Sequence, residues 1–261
     1  MAEPTFDRAA FDAALGTRRL GRVLEVHAAL ASTNDAAWEA WARGAPHGTA
    51  IVTDAQTAGR GRAGRTWHTA PGRGLAMSVL LTGVPRDRGP TLPLAAGLAL
   101  VRALAGLGAG AELKWPNDTL LDGRKVAGLL CESRAASGTL AIVIGAGVNV
   151  GHTADELPPD LRESATSLAI AGSPRTREEV AAGFLNVLEP LLDPPASPAE
   201  VVRAWRERAH FWGRPVTVRT ATGAVTGIAR DLDASGALVL ETASGPATVH
   251  AGDLDLAAGP R

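Results

Sequence analysis

The chain has 261 residues, 46% of them hydrophobic and 20% charged, with a formal net charge of -1. That balance suits a folded protein with a proper core and excludes both a disordered chain and one built mainly to coat nucleic acid or an anionic membrane. Its one cysteine, Cys131, excludes an internal disulfide and a cysteine-based zinc site and suits a reducing cytoplasm. No stretch is long and apolar enough for a membrane span, and the acidic residues Glu3, Asp7 and Asp12 do not fit a secretory signal.

In chain order, Phe6 to Leu15 has helical spacing, Val23 to Leu30 predicts a strand, and Ser32 or Thr33 can cap a helix running to about Arg43. Thr49 to Asp54 predicts a strand. Residues 57–74 hold five glycines and four arginines without periodicity, a long basic loop that leads into a strand at Leu75 to Thr82. Leu92 to Leu107 predicts an apolar helix ended by Gly108. Glu112 to Trp115 and Arg124 to Glu132 flank Asp122-Gly123, a strong hairpin signal, and Leu140 to Val150 predicts a buried strand. Helices are expected from Thr176 to Leu192 and, beyond the proline-rich linker 193–198, from Ala199 to Phe211. From Arg214 onward short Val, Thr and Leu runs are broken by Thr222-Gly223, Ser235-Gly236 and Ser244-Gly245, the spacing of a small antiparallel barrel of about fifty residues. The expected architecture is α+β, with a large mixed-sheet domain at 1–212 and a small all-β domain at 213–261.

Rare residue types mark the chemistry. Of 26 basic residues only Lys114 and Lys125 are lysine, Gln56 is the one glutamine, and Asn34, Asn117 and Asn149 lie in short polar or glycine-bounded stretches. A mutational bias toward Arg leaves such survivors by chance, but their clustering singles out the segment from Lys114 to Lys125. A two-residue Asp122-Gly123 turn sets Leu121 opposite Arg124, Leu120 opposite Lys125 and Asp118 opposite Ala127, unless a bulge near Pro116 shifts the register. Asp118 and Lys125 are then diagonal neighbours. They form either a surface ion pair of little energetic weight or, in an active site, a pair that holds Mg²⁺ and neutralises phosphate.

The run Gly59-Arg60-Gly61-Arg62-Ala63-Gly64-Arg65-Thr66-Trp67 contains the string G-x-G-x-x-G, but no helix follows, so the dinucleotide reading fails, and no P-loop occurs anywhere. Arginines on a glycine backbone bind carboxylate, phosphate or nucleic acid, and the glycines predict a loop that orders on its ligand. Ser32, Thr33 and Asn34 are either a helix cap with its neighbours or donors for an amide-like or ureido ligand. Gln56 is a solvated or an orienting amide. Trp67, in a polar loop, suits a purine face better than Trp115 does. The six His have no metal-ligand spacing, and Cys131 is most simply a small buried hydrophobe.

Taken together, Ser32-Thr33-Asn34, the segment Gln56 to Trp67, Lys114-Trp115-Pro116-Asn117-Asp118, Arg124-Lys125-Val126-Ala127-Gly128 and Gly145-Ala146-Gly147-Val148-Asn149 resemble, in order and spacing, the biotin protein ligases, over roughly residues 20 to 255. The resemblance implies a catalytic domain of the biotin/lipoate ligase type with an SH3-like C-terminal barrel. It also implies activation of biotin by ATP, with Mg²⁺, to biotinyl-5′-AMP, and transfer to a lysine of a biotin carboxyl carrier domain. By motif position it places Ser32, Thr33, Asn34, Gln56 and Gly128 at biotin and Arg60, Gly61 and Arg62 in a loop closing over biotin and adenylate. Arg65 falls along the polyphosphate, Trp67 against adenine, and Asn117 and Asn149 around the nucleotide. Lys125 bridges carboxylate and phosphate as the principal catalytic group, with Arg62 beside it and Asp118 near metal or phosphate. Barely thirty residues precede Ser32, too few for the N-terminal DNA-binding domain of about sixty residues that many members carry, so a monofunctional cytoplasmic ligase without DNA or membrane partners is expected, with a homodimer as the family's common state. A lipoate ligase is the neighbouring enzyme alternative, and a nucleic-acid-binding module the non-enzyme one.

Overall fold

Strand alternation organises the molecule. The computed structural model describes residues 5–193 and 195–256; Glu3, Pro194 of the linker and the last five residues of the 213–261 unit lie outside the described residues. Helix α1 (Arg8–Ala14), capped by the Asp7 side chain, precedes strand β1 (Leu24–Leu30), helix α2 (Thr33–Ala42) and strand β2 (Ala50–Gln56). β1 and β2 run parallel across α2. Strand β3 (Gly74–Val84), helix α3 (Leu92–Gly106) and strands β4 (Glu112–Lys114), β5 (Asp118–Leu121), β6 (Arg124–Ala136) and β7 (Thr139–Asn149) complete a seven-stranded sheet in the order β1-β2-β3-β7-β6-β5-β4. Every pairing after β1 with β2 is antiparallel.

The two faces of this sheet differ. Leu75, Met77, Val79 and Leu81 of β3 and Ile142, Ile144, Ala146 and Val148 of β7 point into the main core, packed beneath α3 and helix α4 (Arg177–Leu192). The alternate residues of β7 change character along the strand. Ala141 and Val143 join Ile51 and Leu80 under Trp38 of α2, whereas Gly145, Gly147 and Asn149 line a cavity. One end of that face is therefore an apolar seat for a helix and the other a floor left open for a ligand.

Helix α3 is apolar almost all round because it is covered on both sides, by the sheet and by α4 and helix α5 (Pro198–Arg206). α4 opens on a capping box between Thr176 and Glu179, and near its end Glu189 accepts the backbone N–H groups of Arg18, Arg19 and Leu20 at 2.6–2.9 Å. Burial alone would raise the Glu189 carboxyl; the three N–H donors hold it below its ordinary value. The helix expected to reach Phe211 ends earlier. α5 starts on a Ser197–Glu200 capping box and stops at Arg206 because the chain then turns to give the Arg208 carbonyl to Leu113 N–H and to bury Phe211 against Trp205.

Strands β8 (Pro215–Thr220), β9 (Gly223–Leu232), β10 (Leu238–Thr242), β11 (Gly245–Val249) and β12 (Asp253–Leu256) form a second, wholly antiparallel sheet in the order β11-β10-β9-β8-β12. It is joined to the first by Trp115, whose indole N–H donates to the Gly236 carbonyl at 3.1 Å, and by an Arg65–Asp253 ion pair. Among the described residues no helix is long and apolar enough to cross a membrane.

Candidate active site

A cavity of about 570 Å³ opens on the glycine end of the large sheet, within the usual size range of small-molecule sites. Every candidate residue lines it: Ser32, Thr33 and Asn34 from the start of α2, Gln56 from the end of β2, Arg60, Gly61, Arg62, Arg65 and Trp67 from the basic loop, Asn117 and Asp118 beside β5, Lys125 and Gly128 on β6, and Asn149 on β7. Both lysines of the chain, Lys114 as well as Lys125, face it.

One wall is a polar network. Ser78 Oγ donates within reach of Thr33 Oγ1 (2.8 Å) and Asn34 Oδ1 (2.6 Å), and Asn34 Nδ2 donates to the Leu130 carbonyl and to Glu132. Gln56 Oε1 accepts from Thr33 N–H at 2.9 Å, which leaves its amide nitrogen as a donor on the cavity wall. Ser32 occupies the N-cap position of α2, but its hydroxyl caps nothing. Of the two readings its sequence allowed, a side chain left for a ligand fits this geometry.

The floor is set by close approach. Asn34 lies over Gly145, and the Trp67 indole lies over Gly147 and Gly128; a Cβ on Gly147 would stand 2.7 Å from Trp67 Cζ2 and Nε1. Gly147→Ala is therefore expected to lift Trp67 off the sheet at an overpacking cost of about 1–3 kcal/mol. If Trp67 faces adenine, as the resemblance implies, the variant should weaken ATP binding at least ten-fold while biotin binding changes little. Calorimetric titration of each ligand checks this, and equal weakening of both would contradict it.

Lys125 reaches this floor because of a bulge. Leu121 pairs with Arg124 and Leu120 with Lys125, but Thr119 pairs with Ala127 and Asp118 with Gly128, so the expected pairing of Asp118 with Ala127 is displaced by one. Val126 is the additional residue on β6 and is fully buried. In regular alternation Lys125 would share the core face of Ala127 and Leu129; the bulge turns it to the face of Gly128, where a Cβ on that glycine would meet Lys125 Nζ at 3.2 Å. Its main chain is fixed by Lys125 N–H to the Ser164 carbonyl and by Thr166 N–H to the Lys125 carbonyl.

Lys125 Nζ stands 2.6 Å from Asp118 Oδ1 and 5.7 Å from the Trp67 ring centre. Yet that buried carboxylate oxygen receives no well-directed hydrogen bond among the described residues, so the contact is coulombic rather than an aligned bond. Arg62 donates to Asn117 Oδ1 at 3.3 Å, Asn117 Nδ2 donates to the Leu129 carbonyl, and no carboxylate among the described residues pairs with Arg62. Burial pulls its guanidinium below the ordinary value. A desolvated cation held by a neutral amide is a receptor for an anion. Arg60, by contrast, is paired with Asp35 at 2.6 Å and Glu132 at 3.3 Å. Asn149 donates to the Thr166 carbonyl at 2.9 Å and lines the cavity.

Several lining residues carried no readable signal. His152, Glu156, Leu157, Pro158 and Leu161 come from an aperiodic stretch containing two single 3₁₀ turns, and Asp255 and Leu256 come from the small sheet. His152 is buried, which keeps its imidazole pKa low, and its Nδ1 has no partner among the described residues. Cys131 is half-buried, its thiol pushed up to about 12 by burial, and is no nucleophile at neutral pH.

Two domain families match the chain: the Biotin/lipoate A/B protein ligase family over residues 26–149 and the Biotin protein ligase C terminal domain over residues 211–256. The chain is 35% identical over 261 residues to the biotin--[acetyl-CoA-carboxylase] ligase of Mycobacterium tuberculosis, covering 96% of this chain and 95% of that protein. The chain belongs to the biotin protein ligase family. Within it, the bifunctional ligase/repressor BirA of Bacillus subtilis is 34% identical over 250 residues, 93% of this chain and 76% of that protein. A mutant of the Aquifex aeolicus biotin protein ligase in complex with biotin superposes with a TM-score of 0.77 at 27% identity, covering 92% of this chain and all of that one. The same enzyme in complex with biotin and ATP gives 0.73 at 26% identity, with 91% and 100% coverage.

Proposed function

We propose that the protein is an ATP-dependent biotin protein ligase of the cytoplasm, with residues 1–212 as its catalytic unit and 213–261 as a second unit closing one rim of the site. The observation that carries this reading is a single cavity joining an amide-and-hydroxyl wall to a cluster of cations across a glycine floor. Ser32, Thr33, Asn34 and Gln56 supply a neutral array of donors and acceptors suited to a ureido ring, with the buried Ser78 hydroxyl behind Thr33 and Asn34. Lys125, Arg62, Lys114 and Arg65 supply the charge that two anions require when a carboxylate attacks an α-phosphate.

In the first step a biotin carboxylate oxygen forms the new bond to the α-phosphorus and pyrophosphate leaves with the electron pair of the broken P–O bond. Lys125, between Asp118 and the Trp67 face, is placed to neutralise carboxylate and phosphate together, and Arg62, held by Asn117, to retain the mixed anhydride. Trp67 offers a stacking face to adenine, and Asn149 an acceptor beside it. In the second step the uncharged amine of an acceptor lysine attacks the biotinyl carbonyl carbon, forming an amide as the C–O bond to phosphate breaks, AMP leaves with that electron pair and one amine proton passes to solvent.

Among the described residues no three His, Cys, Asp or Glu side chains converge as a metal cage. Mg²⁺ would fit this site in its usual manner, through one carboxylate and substrate phosphates; Asp118, which lines the cavity and turns only Oδ1 to Lys125, is the carboxylate that would hold it through its other oxygen. Bound there, the ion would offset polyphosphate charge.

Lipoate lacks the ureido group and would leave the amide wall unmatched, and the C-terminal family match is to biotin protein ligases. ATP–pyrophosphate exchange with each acid tests the choice: biotin is expected to support exchange at least a hundred-fold better than lipoate, because a site built for hydrogen bonds leaves its polar groups unpaired against a ligand lacking them. Equal exchange with lipoate would overturn the assignment.

A further inference from the structure

Glu132, on β6, is a carboxylate placed where three separate segments meet. Its Oε2 accepts from Asn34 Nδ2 at 2.9 Å and from the buried Trp38 Nε1 at 3.1 Å, both on α2, and from Arg60 Nη2 of the basic loop at 3.3 Å. Oε1 stands at the same 3.3 Å from Arg60. The two helix donors fix the carboxylate from one side, because Trp38 is clamped in the satellite core between α2 and the sheet. Arg60 is then the one movable partner in the group.

The geometry points to Glu132 as a positioning residue for the basic loop, seating Arg60 against the amide wall so that the loop closes on the biotin end of the cavity; this rests on the biotin ligase reading above. Glu132 does two things that no neighbour does together. It orients the Asn34 amide so that Oδ1 faces Ser78, and it supplies negative charge to Arg60 from the sheet, while Asp35 supplies it from the exposed first turn of α2. Asp35 alone leaves the loop tied only to that exposed turn. With Glu132 the tie runs to the cavity floor, since Asn34 also donates to the Leu130 carbonyl next to Gly145. Removing the charge should therefore affect the ligand that the closed loop retains more than the rate of the chemical step.

Glu132→Gln separates the two tasks. Its carbonyl oxygen can still accept from Asn34 and Trp38, while the charge that holds Arg60 is gone. In biotin- and ATP-dependent pyrophosphate release, Glu132→Gln is expected to raise the biotin KM about ten-fold or more, with kcat within about three-fold of the parent, as expected for loss of one charge-assisted bond. Arg60→Ala should do the same, and the double variant Arg60→Ala with Glu132→Gln should be no worse than Arg60→Ala alone, because the two act through one contact. Trypsin cleavage in the 60–65 stretch at saturating biotin should be faster in Glu132→Gln than in the parent. An unchanged biotin KM, or effects that multiply in the double variant, would overturn the proposal, as would a lowered melting temperature with lower kcat and unchanged KM, which would mark a merely structural residue. If Glu132→Gln does not fold, Arg60→Gln, which removes the other charge of the pair, is read by the same criteria. Parent protein that releases no pyrophosphate with biotin and ATP would instead strike the biotin ligase reading itself.

Discussion

Lys125→Ala is expected to lower the rate of biotinyl-adenylate formation by a factor of about 10²–10³ or more, the scale of removing one preorganised electrostatic group, while the melting temperature moves by only a few degrees. The structure separates these effects because Lys125 is fixed by its main chain, through Ser164 and Thr166, which the substitution leaves in place. Its ammonium lies between Asp118 and the face of Trp67. The loss will not be purely local, since Asp118 would keep a carboxylate without its cation, but that side chain is only partly buried and water can reach it, unlike Asp54 below. Lys125→Arg is the sharper comparison. A planar guanidinium is larger than the compact ammonium and prefers a bidentate partner, and the nearest space is bounded by Gly128 and Trp67. It should restore less than about a tenth of the parent rate. Single-turnover pyrophosphate release with parallel thermal melts checks both variants, and near-parent turnover in either would remove Lys125 from the chemistry.

The second large effect concerns stability and lies outside the cavity. Arg177, the first residue of α4, pairs with Asp54 of β2 at 2.6 Å, both side chains being more than nine-tenths buried. The same guanidinium reaches Thr5 Oγ1 and lies over Phe6, and Asp54 also accepts the Thr5 N–H. Helix, sheet and N-terminal segment thus meet at one desolvated pair. Arg177→Ala leaves Asp54 buried without its cation, which costs about 3–5 kcal/mol, a drop in melting temperature of roughly 10 °C for a chain of this size. Replacing both partners, as Arg177→Met with Asp54→Leu, should recover most of that loss, because the charge is removed together with its need for a partner. Thermal denaturation of the single and double variants reads the difference; equal destabilisation by both would show that packing, and not charge burial, dominates there.

How legible the site was in the sequence depends on residue scarcity. Arginine serves as the cation almost everywhere on this chain, so the two lysines stand out, and both line the cavity. The same holds for Gln56 and for Asn34, Asn117 and Asn149, since an amide in a chain with so few of them sits where its two-sided hydrogen bonding is used. β7 also announces its double role, passing from Ala141 and Val143 to Gly145, Gly147 and Asn149 on one face. Local patterns could not show the bulge at Val126. Its cause is tertiary: β6 must satisfy β5 on one side and β7 on the other, and the additional residue absorbs the mismatch between them. Ser78 and Glu132 were hidden for a related reason, as polar residues in strands whose partners lie more than forty positions away in the chain. The segment 151–165 gave nothing because single 3₁₀ turns have no period to detect. The end of α5 was overrun because Ala209 and Phe211 continue an apolar pattern after the helix has stopped, their burial coming from the turn that follows.

The central claim is that one cavity first activates biotin and then surrenders it to a lysine. Intact-mass analysis of an isolated biotin carboxyl carrier domain, incubated with the protein, ATP, Mg²⁺ and biotin, tests it most directly. One biotinyl group should appear on the carrier and disappear when the carrier's target lysine is replaced by arginine or when ATP is withheld. A carrier whose mass does not change, in the presence of folded protein and both substrates, would contradict the account.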